Sequence, residues 1–279
     1  MIKLNAPNIK NDEVLEKCTN SIRASKYLHT KLKESKNDLL IIYQKYKHQA
    51  HNQNLFQFEK CNIGSLSHAE LTSLYTNHFV PKQKPCREYY DLIINLTHIC
   101  PYCGFGEVKD LDHYLPKSQY PFFSIYTDNL VPACAKCNTE GKGQSIAQTQ
   151  DKQILHPYFD KACFFEDQWL FAKYEKSING NYIRYYINPP ESWDGIDCSR
   201  VKNHFSVFNL LKRFSQQANN KLAEVEKTME GLMELISPND VITKYLTPIT
   251  EERHKNHWER VMFLSLIDYI NNSINSSDI

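Results

Sequence analysis

Two Cys-x2-Cys pairs, Cys100-Pro-Tyr-Cys103 and Cys134-Ala-Lys-Cys137, stand thirty residues apart in a chain of 279. No other feature constrains the fold as tightly. A tetrahedral zinc ion takes four soft ligands, and two such knuckles supply them without strain. The chain must therefore bring both pairs to one point, and the intervening segment must form something substantial on the way. Zinc closed by four thiolates keeps no open position, so the expected role of this ion is structural. Cys18, Cys61, Cys86, Cys163 and Cys198 are unpaired in sequence and read as core thiols. His98 lies two before Cys100, but four cysteines already fill the site.

The first residues, MIKLNAPNIKNDEV, lack the apolar core of a signal peptide, and no run approaches bilayer-spanning length. The cysteines are accordingly read in a reducing cytoplasm, where paired cysteines more often hold metal than form disulfides. Glycine is scarce, at 8 residues, and neither a P-loop nor a G-x-G-x-x-G pattern occurs, which argues against a nucleotide cradle. Net charge is +1 but uneven: residues 1–90 carry 14 Lys+Arg against 8 Asp+Glu, and the remainder 19 against 24. A basic N-terminal part is compatible with phosphate contacts and equally with a solvated helix face.

Residues 12–60 contain apolar positions at spacings of three and four and read as helical. Ser67-His-Ala-Glu70 is a capping-box pattern that opens a helix over 67–79. A third helix, 86–96, leads into the first cysteine pair. Residues 163–188 read as a hairpin around a two-residue turn at Asn179-Gly180. Residues 199–236 form one long periodic segment ended by Ser237-Pro238, and 251–272 a last amphipathic helix. The expected fold class is α+β and mostly helical. It divides into helical residues 1–96, a metal module over 97–160, a hairpin and connection over 161–198, and helical residues 199–279.

Between the knuckles the chain reads LDHYLPKS … DNLVPACAKCN. Asp112-His113 begins nine residues after Cys103. Fifteen residues separate His113 from Asn129, and eight separate Asn129 from Asn138, which follows Cys137 directly. This pattern resembles the HNH (His-Me finger, ββα-metal) endonucleases, in the subset with two flanking Cys-x2-Cys knuckles. The match covers about residues 97–145. It implies a ββα-metal module in which His113 is the general base. Asp112 and Asn138 would bind a catalytic Mg2+ or Mn2+, and Asn129 would pin the loop after the first strand and so orient His113. Asn138 stands where many members have His, an accepted variant that keeps an oxygen ligand. Where members often carry Lys three residues later, this chain has Gly141, and the lysine is Lys142.

The same residues make chemical sense without the family. A neutral His takes a proton from water near pH 7. A hard divalent cation clamps the phosphate and the leaving oxygen, and it wants oxygen ligands such as one carboxylate and one amide. Asp112 and His113 are adjacent, and neighbours on a regular strand face opposite ways, so both reach one site only where the backbone is irregular. Lys117 and Lys142 are candidate substrate contacts, although most such lysines are solvated surface residues. His156 is a candidate neighbour of the site, with a packed histidine as the plainer reading. The aromatic run Asn181 to Ile187 suits base stacking or one face of a half-buried hairpin.

The resulting expectation is a cytoplasmic, metal-dependent endonuclease that hydrolyses DNA phosphodiesters by nicking or double-strand cleavage. The resemblance adds a role in restriction or anti-phage defence, with an ATPase or sensor partner or a second copy of the chain. Two alternatives stand beside it: a catalytically silent, zinc-stabilised nucleic-acid-binding module, and an RNase toxin.

Overall fold

The computed structural model describes residues 1–277. The fold is mostly helical with two small two-stranded antiparallel sheets. Contacts group the chain into two compact units, Ile2–Asp160 and the remainder from Lys161 onward.

In the first unit the expected helical stretch over 12–60 is three helices: α1 (Asn11–Asn20), α2 (Tyr27–Glu34) and α3 (Lys36–His51). The breaks fall at serines. Ser21 turns its hydroxyl onto the Cys18 carbonyl at 2.7 Å, and such local side-chain bonds compete with helix propagation. Helix α3 buries Leu39, Tyr43, Tyr46 and Ala50, a stripe at spacings of four, three and four. Tyr43 stacks on Tyr126 at 4.3 Å, while Phe58 and Phe123 stand edge-on to one another at 5.0 Å. These rings form an aromatic core against the segment between the cysteine pairs.

Helix α4 (His68–Leu74) starts as the capping box predicts: the Glu70 amide donates to Ser67 Oγ, and Glu70 Oε2 accepts from the Ser67 amide. It widens into a five-residue π-type turn over Tyr75–Phe79. Helix α5 (Arg87–Ile94) follows. Strands β1 (Asp110–His113) and β2 (Leu130–Ala133) then pair antiparallel, with Asp112 opposite Val131 and His113 opposite Leu130. A short helix of π type, Lys136–Lys142, comes directly after β2.

In the second unit, helix α6 (Cys163–Glu166) occupies the start of the expected hairpin, and the strands are β3 (Leu170–Glu175) and β4 (Tyr182–Ile187). The connection runs from Lys176 to Asn181 rather than through two residues. Only Gly180, at φ 108°, has left-handed backbone there, whereas the tight turn expected from Asn-Gly needs positive φ at both residues. The helix expected over 199–236 is two, α7 (Gly195–Val207) and α8 (Leu210–Met233). Asn209 separates them at φ 49°, ψ 43°, a conformation asparagine tolerates better than most residues. Helices α9 (Pro238–Val241), α10 (Thr247–Glu251) and α11 (Trp258–Ser277) complete the unit. Helix α8 packs on β4 and α11 on β3. Of the aromatic run, Ile183 and Tyr185 are buried, while Tyr182 and Tyr186 face outward. Among the described residues no helix is long and apolar enough to cross a membrane.

Candidate metal centre and adjoining cavity

The two cysteine pairs meet. The Sγ atoms of Cys100, Cys103, Cys134 and Cys137 lie within 4.8 Å of one another, and all four residues are buried. A tetrahedral ion with Zn–S bonds of about 2.3 Å sets sulfurs about 3.8 Å apart. The Cys103 to Cys134 separation is 3.9 Å. The backbone is shaped around the sulfurs. Gly104, at φ 73°, turns the first knuckle, and its amide donates to the Cys100 carbonyl at 2.8 Å. The Gly106 amide donates to Cys103 Sγ at 3.3 Å, and a Cβ on Gly106 would stand 2.9 Å from Cys134 Sγ.

Hydrogen bonding within the set pushes the thiols of Cys103 and Cys134 down and those of Cys100 and Cys137 up. Four thiolates cannot coexist in one buried site without a cation, which a divalent metal supplies. Soft donors, burial and a close-fitting backbone make this a site able to hold zinc. The remaining cysteines lie outside it. Cys18 and Cys86 are buried against each other with sulfurs 2.6 Å apart, and Cys61 is exposed.

At the end of β1 lies a cavity of about 310 Å³, lined in part by Asp112, His113, Lys117 and Asn138. Three positions in a row on β1, Leu111, Asp112 and His113, are buried, so the inside-outside alternation of a strand fails here. His113 is the last residue of β1, where the chain leaves the ladder. Asn129 ties that exit. Its Oδ1 accepts from the Leu115 amide at 2.8 Å and its Nδ2 donates to the Leu115 carbonyl at 3.0 Å, while the Tyr114 amide donates to its carbonyl at 2.8 Å. Asn129 is fully buried, so these bonds are shielded from water.

His113 Nε2 donates to the Ser124 carbonyl at 2.9 Å. A carbonyl only accepts, so the proton sits on Nε2 and Nδ1 carries the lone pair. The ring stands edge-on to Tyr75 at 4.5 Å. Burial first, then the nearby charge of Lys117, lower its pKa to about 3, so the imidazole is neutral at physiological pH. Lys117 lies over the same Tyr75 ring at 4.4 Å, and burial lowers its own pKa.

Asp112 is held from two sides. Tyr102, inside the first knuckle, donates to Oδ2 at 2.9 Å. Lys142 donates to Oδ1 at 3.0 Å and to the His113 carbonyl at 2.6 Å. Expected as a surface residue or a substrate contact, Lys142 is 4% exposed and ion-paired with Asp112, and it is not among the residues lining the cavity. Each carboxylate oxygen keeps a second acceptor lone pair. Asp112 and Asn138 thus offer hard oxygen donors to one cavity, a donor set that suits Mg2+ or Mn2+. Asn138 reaches the cavity from the residue after Cys137, with its amide on the Cys134 carbonyl at 3.0 Å and its carbonyl taking the Gly143 amide at 3.2 Å.

His156 is packed elsewhere. Its Nδ1 accepts from the Tyr158 amide, its Nε2 meets Tyr46 Oη at 3.1 Å, and its ring lies 4.2 Å from that of Tyr114. The cavity also draws on residues that sequence patterns did not single out. His68 and Thr72, one turn apart on α4, line it, and His68 Nε2 donates to the Ser118 carbonyl. Tyr102, Tyr75 and the Ser124 carbonyl fix Asp112 and His113. Only Tyr102 carried a signal, its place between the first two cysteines.

No family model matches the chain, and no solved structure does. Protein ea31 of Escherichia phage lambda is 32% identical over 245 residues, which are 80% of this chain and 82% of that protein. Ubiquitin carboxyl-terminal hydrolase 8 of Saccharomyces cerevisiae is 31% identical over 120 residues, 40% of this chain and 25% of that protein.

Proposed function

The chain belongs to the family of phage lambda protein ea31, and within it we propose a divalent-metal-dependent endonuclease of the His-Me finger type, acting on DNA phosphodiesters. One observation carries the reading: a neutral histidine with a defined tautomer shares a cavity with a carboxylate, an amide and a lysine, directly beside a four-cysteine cluster. Two antiparallel strands followed by a short helix support the ββα-metal assignment. The similarity to the ubiquitin hydrolase spans a quarter of that protein and carries no activity to this chain.

The chain's own groups divide the work. His113 takes a proton from the attacking water at Nδ1, held in place by Ser124 and Tyr75. An imidazole with a pKa near 3 is a weak base, and Lys117 is one cause. An arriving phosphate offsets that charge and so strengthens the base when substrate is present. Lys117 supplies positive charge to the phosphate. Asn129 fixes the loop that carries Lys117. A divalent cation held by Asp112 and Asn138 would stabilise the developing charge and the leaving oxygen. The cysteine cluster, filled by zinc, would hold β1 and the short helix at a set spacing and touch no phosphate. Service in anti-phage defence or restriction, with an ATPase or sensor partner or a second copy, belongs to the same proposal.

The test is relaxation of supercoiled plasmid in Mg2+ or Mn2+, wild type against His113→Ala. A general base contributes about 10²–10⁴-fold, and a loss in that range is expected. Equal nicking by the two proteins, or cleavage of RNA alone, counts against the reading. Binding of DNA with no cleavage in either metal favours the silent zinc module instead.

A further inference from the structure

The proposed nuclease site contains a cation of its own. Lys142 Nζ lies 3.0 Å from Asp112 Oδ1 and 2.6 Å from the His113 carbonyl, and both side chains of the pair are 4% exposed. A buried carboxylate requires a compensating charge, and here a lysine provides it. A divalent ion on the oxygen that Lys142 holds, Oδ1, sits about 2.1 Å from it, hence no more than about 5 Å from an ammonium in this position. At that separation and degree of burial the two cations repel strongly. We infer that Lys142 is a tethered counter-cation that holds Asp112 until a divalent ion displaces it, so that lysine and metal compete for one carboxylate.

The inference rests on the nuclease reading and adds to it a control on metal loading. Lys142 closes the short helix that also bears Cys137 and Asn138, and Gly143 follows at φ 51°. The lysine is therefore anchored to the same element as the second proposed metal ligand. Without metal the ammonium holds the carboxylate and the end of β1 together. With metal it retreats from Asp112. Site occupancy then depends on the local divalent concentration, and Lys142 keeps the affinity low.

Mn2+ binding, followed by electron paramagnetic resonance on the full-length zinc-loaded chain, tests this without an activity assay. Lys142→Met keeps the length of the side chain and removes its charge, and it is expected to bind Mn2+ about tenfold more tightly than wild type. Lys142→Arg keeps the charge and is expected to show no tightening. Equal or weaker binding by Lys142→Met, or equal tightening by both variants, overturns the inference. If the Met variant loses zinc, the wild-type protein still answers. Mn2+ is expected to raise the acetylation of Lys142, read residue by residue by mass spectrometry, with no change at the exposed Lys136. No rise at Lys142 in Mn2+-bound protein overturns the inference. Failure of wild type and Lys142→Met alike to bind Mn2+ overturns the metal-dependent nuclease reading itself, a result distinct from the preceding ones.

Discussion

The cysteine cluster and the Asp112–His113 cavity share the short helix, through Cys137 and Asn138, yet they are opposite kinds of site. The cluster is closed: four like ligands, buried, with Gly106 set close against the sulfurs of Cys134 and Cys103. The cavity is open and unlike: a carboxylate, an imidazole, an amide and a lysine around about 310 Å³. A closed set of soft donors suits an ion that stays. A mixed, hard, partly open set suits an ion and a substrate that come and go. The two are coupled through covalent neighbours, since Asn138 follows Cys137 and Tyr102 precedes Cys103.

That contrast breaks most severely when the closed site is opened. Structural zinc in small metal-folded peptides carries about 10–16 kcal/mol of apparent binding free energy, as much as a typical domain's whole stability. Cys137→Ser, or a strong chelator, is expected to abolish zinc retention and the cooperative melt of residues 2–160, with nicking falling to background. Metal analysis and circular dichroism check this; a chelated protein that melts as before refutes the structural role. Next in size is Asn129→Ala. It removes two buried hydrogen bonds to Leu115 and leaves that residue's amide and carbonyl unpaired, at a cost of about 2–4 kcal/mol. Zinc content is expected to stay constant while stability and nicking fall together. Gly106→Ala is smaller, about 1–3 kcal/mol, because the side chains of Cys134 and Cys103 must shift by only a few tenths of an ångström. It is expected to lower zinc affinity and leave the cavity's chemistry alone. A drop in nicking at full zinc occupancy shows that the sites are coupled beyond the shared backbone.

How far the sequence carries depends on the range of the interaction involved. The four cysteines were legible as one centre because metal geometry converts spacing into contact, and the capping box at Ser67 and Glu70 was legible because it is local. The helix breaks at Ser35 and Asn209 were not, since both lie inside unbroken apolar periodicity and contain neither Gly nor Pro. The Asn-Gly turn misled because a six-residue connection, Lys176 to Asn181, carries the chain where two residues were expected. Within the cavity, Asp112, His113 and Asn138 were legible from the motif. Tyr75, Ser124 and the burial of Lys142 were not, because each acts across 30 or more residues or through a backbone carbonyl, which no side-chain pattern encodes.

The finest test separates the two sites by their response to acid. His113 stays neutral in the folded chain down to about pH 3, whereas an unfolded histidine takes a proton near 6.5. The unfolded state therefore binds more protons between these values. The stability that neutral His113 contributes is fully present above pH 6.5 and is lost as pH falls toward 3, at about 1.4 kcal/mol per pH unit. The second unit adds its own histidines of the same sign: burial lowers His254 to about 2 and His257 to about 4. Subtraction is thus required. The gap between wild type and His113→Gln, measured by urea unfolding at pH 8 and pH 5, is expected to shift by about 2 kcal/mol against wild type at the lower pH. Zinc must be assayed in each sample, because protonated thiols release metal and destabilise in the same direction. A gap unchanged with pH at constant zinc content means that His113 is not held neutral by the fold, and the chemistry proposed for the open site loses its base.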